Sequence, residues 1–108
     1  MKPWEIWTYD FPGIGPHPAV IVSGPERAER KTMLEVLRCG SARAGRAAGF
    51  GEVALNSADG LDWETLCFCD CVWSAPRAEV SRRRGVVTLK RRRSIVSAIL
   101  QSHGWIRL

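Results

Sequence analysis

The N-terminal stretch WEIWTYDFPGIGPHPAVIVS, residues 4–23, holds the clearest pattern in the sequence, two strand-like segments separated by turn-forming residues. Within Trp4–Asp10, bulky and polar residues nearly alternate and aromatic residues are frequent, which is typical of a half-buried β-strand. Proline and glycine then interrupt the pattern over Phe11–Pro16. The continuous β-branched run in His17–Ser23 predicts a buried central strand. The chain therefore begins with two strands joined by a turn.

The pattern of short strands and turns continues through most of the chain. No long helix separates the strands, which favours one small antiparallel barrel or strongly bent sheet over residues 1–108. Apolar residues at helical spacing near the C-terminus predict a closing helix that ends at Gly104. The predicted strands are Met33–Cys39, Phe50–Leu55, Thr65–Trp73, Arg77–Val80 and Gly85–Thr88, with a polar helical turn or loop at Glu26–Lys31, a turn at Asn56–Gly60 and a helix over Lys90–His103.

Charge is distributed unevenly along the chain, whose formal net charge is +5. Residues 77–108 contain nine of the 16 Lys and Arg residues and one acidic residue, Glu79. Residues 1–76 hold ten acidic residues against seven basic ones. A basic block of this kind is either a solvated helix face or a contact for a polyanion, and its two runs, Arg82–Arg84 and Lys90–Arg93, favour nucleic acid.

The cellular compartment is predicted from two absences in the sequence. No apolar run reaches the roughly 18 residues that a membrane span requires. The first residues lack the apolar region of a signal peptide. We therefore expect a cytoplasmic protein without membrane contact, whose four cysteines are thiols.

Three cysteines, Cys67, Cys69 and Cys71, alternate along one predicted strand, so a two-residue period places their thiols on the same face. Successive thiols on one face lie too far apart to bind a single zinc ion without breaking the strand. We therefore predict small core residues and no metal site, with redox chemistry or a disulfide to Cys39 as alternatives. Asp70 is expected on the opposite face, either as a surface residue or as a carboxylate that needs a partner.

His17 lies between Pro16 and Pro18, so its backbone is extended at a loop edge, a position suited to a general acid or base. The alternative is a surface histidine without a role. No motif for nucleotide binding, zinc peptidase or α/β-hydrolase chemistry occurs. A basic β-rich protein without such motifs points to RNA chemistry, because RNA carries its own nucleophile, the 2′-hydroxyl, and needs only an acid, a base and cations.

Five segments occur in an order that resembles the PemK/MazF-type toxins of bacterial toxin–antitoxin modules. Trp4–Pro12 matches the family's Glu-Ile-Trp strand and Asp-Phe-Pro turn, and His17–Ser23 and Leu37–Ser41 match its second and third strands, which both end in Ser. Arg46–Phe50 matches its Arg-x-Ala-Gly-Phe segment, and Phe68–Cys71 matches its Cys-Asp strand. Each motif is short, but together they cover nearly the whole chain.

This resemblance implies a fold, an activity and partners. The fold would be an SH3-like barrel of antiparallel strands closed by a C-terminal helix. The activity would be that of a metal-independent endoribonuclease that cleaves single-stranded RNA, leaves a cyclic phosphate and needs no cofactor. The chain would form a homodimer with RNA across its interface, and a cognate antitoxin would place an acidic segment in the basic RNA groove.

Three positions depart from the family pattern, where His17, Gly40 and Phe68 stand in place of Arg, Thr and Arg. We expect His17 to act as the general acid or base, because imidazole exchanges protons near neutral pH. Asp70 would be its counterpart or orient it. Ser41 would hold the phosphate together with amides of the Gly40–Gly49 loop, a small, flexible and basic segment of the kind that is often functional.

The expected RNA contacts come mainly from basic and aromatic side chains. The loop arginines would stabilise the charge that develops during cleavage, the C-terminal runs would bind the RNA backbone, and an aromatic ring beside the basic segment could stack on a base. The predicted RNA-binding residues are Glu5, Arg43, Arg46, Phe50, Trp73, Arg82, Arg83 and Arg84.

Two other functions remain open at the level of sequence. The missing Arg and Thr are compatible with a module of the same fold that binds RNA or a protein partner without cleaving. The cysteines are compatible with a thiol-based role.

Overall fold

The computed structural model describes residues 1–41 and 47–105, and the predicted β-rich architecture is confirmed there. Within these ranges, six antiparallel strands form a sheet in the order β4-β5-β3-β2-β1-β6. Neither helix is long and apolar enough to cross a lipid bilayer within the described ranges. The elements are β1 (Glu5–Phe11), β2 (Gly15–Ile21), α1 (Pro25–Arg30), β3 (Met33–Ser41), β4 (Glu52–Leu55), β5 (Thr65–Pro76), β6 (Val80–Val86) and α2 (Leu89–Ser102), with 3₁₀ turns at Ser57–Asp59 and Arg77–Glu79.

The predicted turn between the first two strands is a tight hairpin. β1 and β2 pair in register from Ile6↔Val20 to Phe11↔Gly15. Gly13 and Gly15 have φ values of +75° and +108°, in the region that only glycine enters at little cost. The glycines therefore explain why the chain reverses here.

Apolar side chains pack in two clusters. The first contains Ile6, Val20 and Leu37 from the sheet together with Ile95 of α2. The second contains residues of the first three strands and Ala28 of α1. The C-terminal helix is thus held to the sheet through its buried Ile95, and its predicted span agrees with Leu89–Ser102 to within one residue at each end.

Two strand predictions near the C-terminus were wrong in detail. Arg77–Glu79 forms a 3₁₀ turn, and one continuous strand, β6, Val80–Val86, stands in place of the expected strands Arg77–Val80 and Gly85–Thr88. The backbone amide of Arg77 bonds the carbonyl of Thr32, which fixes the turn to the start of β3. Gly85 lies within β6 rather than at the start of a separate strand.

The prediction that all three alternating cysteines lie in the core was also wrong for one of them. Cys67 and Cys69 are buried, but Cys71 is exposed. The pairing of β3 with β5 shifts between Leu37↔Val72 and Cys39↔Cys67, so four residues of β5 face one residue of β3. This bulge ends the two-residue alternation, because an irregular stretch of strand no longer sends successive side chains to opposite faces.

The sheet is strongly bent but not closed by hydrogen bonds, so it is a barrel only in a loose sense. β4 and β6 are its two edges, and in the described parts of the chain no strand pairing joins them. The gap is bridged by the turn after β4. A side chain on Gly85 of β6 would overlap the carbonyl oxygen of Asp59, and one on Gly60 would lie 2.9 Å from the Gly85 Cα. Glycine at both positions therefore allows the two backbones to touch.

The carboxylate of Asp59 holds this contact in place. Its side chain is fully buried and makes an ion pair with Arg91 of α2 at 2.6 Å. Its two oxygens also accept the backbone amides of Asn56 at 3.0 Å and Thr88 at 2.9 Å. The Asn56 side chain in turn accepts from the backbone of the turn, which completes a capping box with Asp59, and it also accepts from Arg91 at 3.1 Å. One side chain thus joins the turn to the start of α2.

Replacing this carboxylate should destabilise the whole domain. In Asp59→Ala, Arg91 loses its ion-pair partner and two backbone amides lose their acceptor, so we expect the free energy of unfolding to fall by about 3 kcal/mol. Urea denaturation followed by circular dichroism measures the change.

The matched control is Glu26→Ala, which removes an exposed i,i+4 ion pair with Arg30 and should cost at most about 0.5 kcal/mol. Equal stability of Asp59→Ala and the Glu26→Ala control would contradict the anchoring role.

Candidate functional site

A cleft opens where β2 and β3 stop pairing. The two strands are hydrogen-bonded only from Ala19↔Arg38 to Ile21↔Val36. Before Ala19, β2 carries Pro16 and Pro18, which have no backbone N–H to donate to a neighbouring strand. The sequence therefore separates β2 from the end of β3.

The cleft has a volume of about 260 Å³ and brings together residues from four strands and the turn before β5. His17 is half-buried in β2, and Ser41 is exposed at the end of β3, opposite Thr65 in the β3–β5 pairing. Arg84 reaches the cleft from β6. The full lining is Pro16, His17, Pro18, Gly40, Ser41, Trp63, Thr65 and Arg84. Two of the three predicted catalytic residues and one predicted RNA-binding arginine therefore share one cavity.

Arg84 reaches the cleft because β6 is irregular. The pairing of β1 with β6 shifts between Ile6↔Gly85 and Thr8↔Ser81, so three arginines of β6 face one residue of β1. Arg82 has a φ of +51°, a conformation that a non-glycine residue adopts with strain. The Thr8 hydroxyl donates to the Arg82 carbonyl at 3.4 Å. The bulge leaves Arg82 and Arg83 exposed, whereas Arg84 is partly buried and lines the cleft.

Glu5, predicted to bind RNA, is occupied by contacts within the protein. Its carboxylate accepts the Lys2 amide at 2.8 Å and the Trp7 indole N–H at 3.1 Å, and it lies 3.4 Å from the Arg83 guanidinium. Burial raises the pKa of Glu5, but these two hydrogen bonds and the charge of Arg83 outweigh it, so the pKa is lowered overall. Glu5 therefore positions one arginine of the β6 run.

Asp70 is the predicted catalytic residue that does not line the cleft. It is exposed in the bulge of β5, where a side chain at position 51 would contact its Cβ at 3.5 Å and the Ser102 Cβ at 3.8 Å. Its place near the end of α2 gives no support to a direct partnership with His17. The alternative of a surface residue agrees with its exposure, and its catalytic role remains a prediction.

The other predicted RNA contacts fall into different environments. Phe50 is 79% exposed just before β4. Trp73 is half-buried and packs edge to face on Phe11 at 5.2 Å between ring centroids, so its ring belongs to the second cluster. Arg43 and Arg46 lie outside the described residues.

The substitutions at Gly40 and Phe68 are explained by one contact. A Cβ on Gly40 would lie 3.1 Å from the Phe68 ring, which also carries the Arg38 guanidinium 4.5 Å from its centroid. A larger residue at position 40 would press on this ring. Glycine in β3 and phenylalanine in β5 therefore fit each other, and the aromatic ring holds an arginine near the rim of the cleft.

Trp63 and Thr65 also line the cleft, although sequence reasoning did not select them. Trp63 lies in a polar stretch between two acidic residues, Asp62 and Glu64, and is 58% exposed. An isolated tryptophan in a charged turn is the signal that could have found it.

The buried Cys67 lacks the properties of a reactive thiol. Hydrogen bonding with the Cys39 and Cys69 thiols, together with burial, raises the pKa of Cys67 well above its usual value. A protonated, buried thiol is a poor nucleophile and a poor metal ligand. Within the described ranges, no three potential ligands come together in a way that could hold a metal ion.

Comparison with known proteins identifies the fold. No family model and no curated protein sequence matches the chain. Solved structures do match it over almost its full length. An endoribonuclease in complex with its cognate antitoxin, from a mycobacterial species, is 20% identical with a TM-score of 0.85, over 100% of this chain and 99% of that one.

Two further structures have the same fold. The Mycobacterium tuberculosis toxin MazF-mt6 is 17% identical with a TM-score of 0.79, over 93% of this chain and 96% of that one. A MazE–MazF complex from Deinococcus radiodurans is 15% identical with a TM-score of 0.75, over 96% of this chain and 95% of that one. The fold expected from the sequence is thus confirmed.

The lowered pKa of Glu5 predicts a pH-dependent contribution to stability. A carboxylate whose pKa is lower in the folded state stabilises the fold above its unfolded pKa, and this contribution is lost as the pH falls through the folded value. Glu5→Gln should therefore unfold about 1–2 kcal/mol more easily at neutral pH. When urea denaturation is repeated at a series of pH values from 7 down to about 3, the difference in unfolding free energy from wild type should shrink.

Glu29→Gln, at an exposed position on α1, is the control and should lie within about 0.5 kcal/mol of wild type at each pH. A Glu5→Gln difference that does not change with pH would refute the role of the charged carboxylate.

Proposed function

We propose that this chain, which shares the fold of the MazF toxins, is itself the toxin of a toxin–antitoxin module and a metal-independent endoribonuclease acting on single-stranded RNA. One observation carries the proposal. A proton-transferring group, His17, a hydroxyl, Ser41, and a guanidinium, Arg84, line the same small cleft. They can supply a base, a hydrogen-bond donor to the phosphate and a cation for cleavage by the RNA's own 2′-hydroxyl.

The proposed reaction is an in-line transesterification. His17 takes the proton from the 2′-hydroxyl, whose oxygen attacks the neighbouring phosphorus. The bond from phosphorus to the 5′-oxygen breaks, that oxygen takes a proton from water, and the hydroxide so formed takes the proton back from His17, leaving a 2′,3′-cyclic phosphate. Arg84 and Ser41 donate hydrogen bonds to the non-bridging oxygens, where negative charge increases in the transition state.

His17 differs in its acid–base chemistry from the residue that the family pattern has at this position. The family residue at this position is arginine, which does not release its proton near neutral pH. Histidine ordinarily titrates in the physiological range and so can act as the base. With histidine as the base, the cleft still needs a fixed cation for the phosphate, and Arg84 is a cation that lines it. The proposal assigns no step to Asp70.

Partners, assembly and location form part of the same proposal. The exposed Arg82 and Arg93 belong to the basic C-terminal third, which suits an antitoxin with an acidic segment. The two neighbours solved with an antitoxin give this partner its support. The chain would act as one domain over residues 1–108, as a homodimer, in the cytoplasm where its RNA substrates are found.

The test is cleavage of a single-stranded RNA by purified variants. We expect His17→Ala and Arg84→Ala each to reduce the single-turnover rate about 100-fold or more, because each removes a group that acts in the transition state. The RNA fragments are separated by gel electrophoresis in the presence of a metal chelator. Their new 3′ ends should carry a cyclic phosphate, as measured by mass spectrometry.

His103→Ala and Arg30→Ala are the matched controls, since both residues are exposed and neither lines the cleft. Both controls should cleave at the wild-type rate. RNA that is bound but left intact by wild-type protein would refute the enzyme and favour the alternative of a binding module.

A further inference from the structure

Trp63 stands out among the aromatic residues of the cleft region because it is large, apolar and open to solvent. Its exposed fraction is 58%, whereas Trp73 is half-buried and packs against the second cluster. Both sides of the tryptophan are anchored. Leu61 is buried in the first cluster, and the hydroxyl of the buried Thr65 donates to the Trp63 carbonyl at 3.0 Å. The indole is therefore presented on a fixed segment of backbone.

The groups around Trp63 define the ligand chemistry. Arg84 on the same cleft is a donor for an anionic oxygen, and the indole offers a flat apolar face. Asp62 and Glu64, which are both exposed beside Trp63, repel a phosphate. A ligand would thus place its phosphate toward Arg84 and a flat, uncharged ring on Trp63. A nucleotide with an unpaired base has both a phosphate and a flat, uncharged ring.

We propose that Trp63 is the stacking platform for one base of a single-stranded RNA whose adjacent phosphate lies at Arg84. The inference rests on the proposed function and adds to it the residue that requires an unpaired base. Bases within a duplex are stacked on each other and cannot reach an indole, whereas bases of a single strand can.

Thr65 is a positioning residue in this account. Its hydroxyl fixes the backbone of Trp63, and it lies opposite Ser41 across the β3–β5 pair. The platform and the proposed phosphate-binding hydroxyl are thus tied to the same pair of strands. This link keeps the stacked base at a constant place relative to the scissile phosphate.

The experiment measures binding without cleavage. The ligand is a fluorescent RNA of ten nucleotides with one arbitrary sequence and with every 2′-hydroxyl methylated. It cannot be cut by the proposed mechanism. Trp63→Ala should bind it about tenfold or more weakly than wild type, because one base loses its stacking partner. Trp63→Phe, which keeps an aromatic face, should recover most of the affinity. Wild type should bind the corresponding duplex much more weakly.

Trp105→Ala is the matched control, because Trp105 is also exposed, at 69%, but stacks on His103 just after the C-terminal end of α2. It should bind like wild type. The salt dependence separates stacking from charge. Trp63→Ala should keep the wild-type slope of affinity against salt concentration, whereas Arg84→Ala should flatten it.

Several outcomes would overturn the inference. If Trp63→Ala binds the single strand as tightly as wild type, Trp63 is not a stacking platform. The same holds if the substitution changes the oligomeric state measured by sedimentation but not the RNA affinity, because Trp63 would then be a protein contact. Wild-type protein that does not bind the single strand also refutes it.

A cleavage assay separates this failure from that of the proposed function. If the wild-type protein cleaves unmodified RNA and Trp63→Ala binds the methylated RNA as tightly as wild type, the proposed enzyme stands and the stacking platform is rejected. If Trp63→Ala binds more weakly but the wild-type protein does not cleave, the platform stands and the enzyme is rejected.

Discussion

The buried carboxylate of Asp59 is the interaction on which the site depends. It accepts hydrogen bonds from a turn and from Thr88, which directly precedes α2, and it pairs with Arg91, so it fixes the turn to the helix. The same turn touches β6 through Gly60 and Gly85. Because Arg84 precedes Gly85 and Trp63 follows Gly60 by three residues, this contact brings the arginine and the tryptophan to one cleft.

The cleft itself arises where regular strand pairing fails. Two prolines end the β2–β3 ladder, and a bulge in β6 turns Arg84 away from its two exposed neighbours. Uninterrupted strands would have used these backbone groups in hydrogen bonds and left no concave surface. The strained φ of Arg82 is therefore part of the geometry that aims a cation into the cleft.

Much of this architecture could be predicted from local sequence. The β1–β2 hairpin, the C-terminal helix and the turn at Asn56–Gly60 follow from residue periodicity and from glycine and proline placement. The position of His17 at a strand edge followed from its flanking prolines. The exposure of Cys71 could not be predicted, because a bulge depends on the pairing of two distant strands and leaves no periodic signal.

The site could be predicted only in part for a related reason. His17, Ser41 and Arg84 follow from motifs and charge, and the fold brings them together. Asp70 belongs to the same family pattern, yet it lies in the bulge of β5 near the end of α2. Trp63 belongs to no such motif, and its place beside Arg84 depends on the contact between Gly60 and Gly85, which are 25 residues apart.

The central claim is that single-stranded RNA occupies the cleft between β2, β3 and β6. Nuclear magnetic resonance of the isotope-labelled protein, titrated with a 2′-methylated RNA, tests it most directly. The account predicts that the largest chemical-shift changes fall on the signals of His17, Ser41, Trp63 and Arg84, with little change at Asp70 or α1. Changes concentrated around Asp70 and the end of α2, with the cleft signals unmoved, would contradict it.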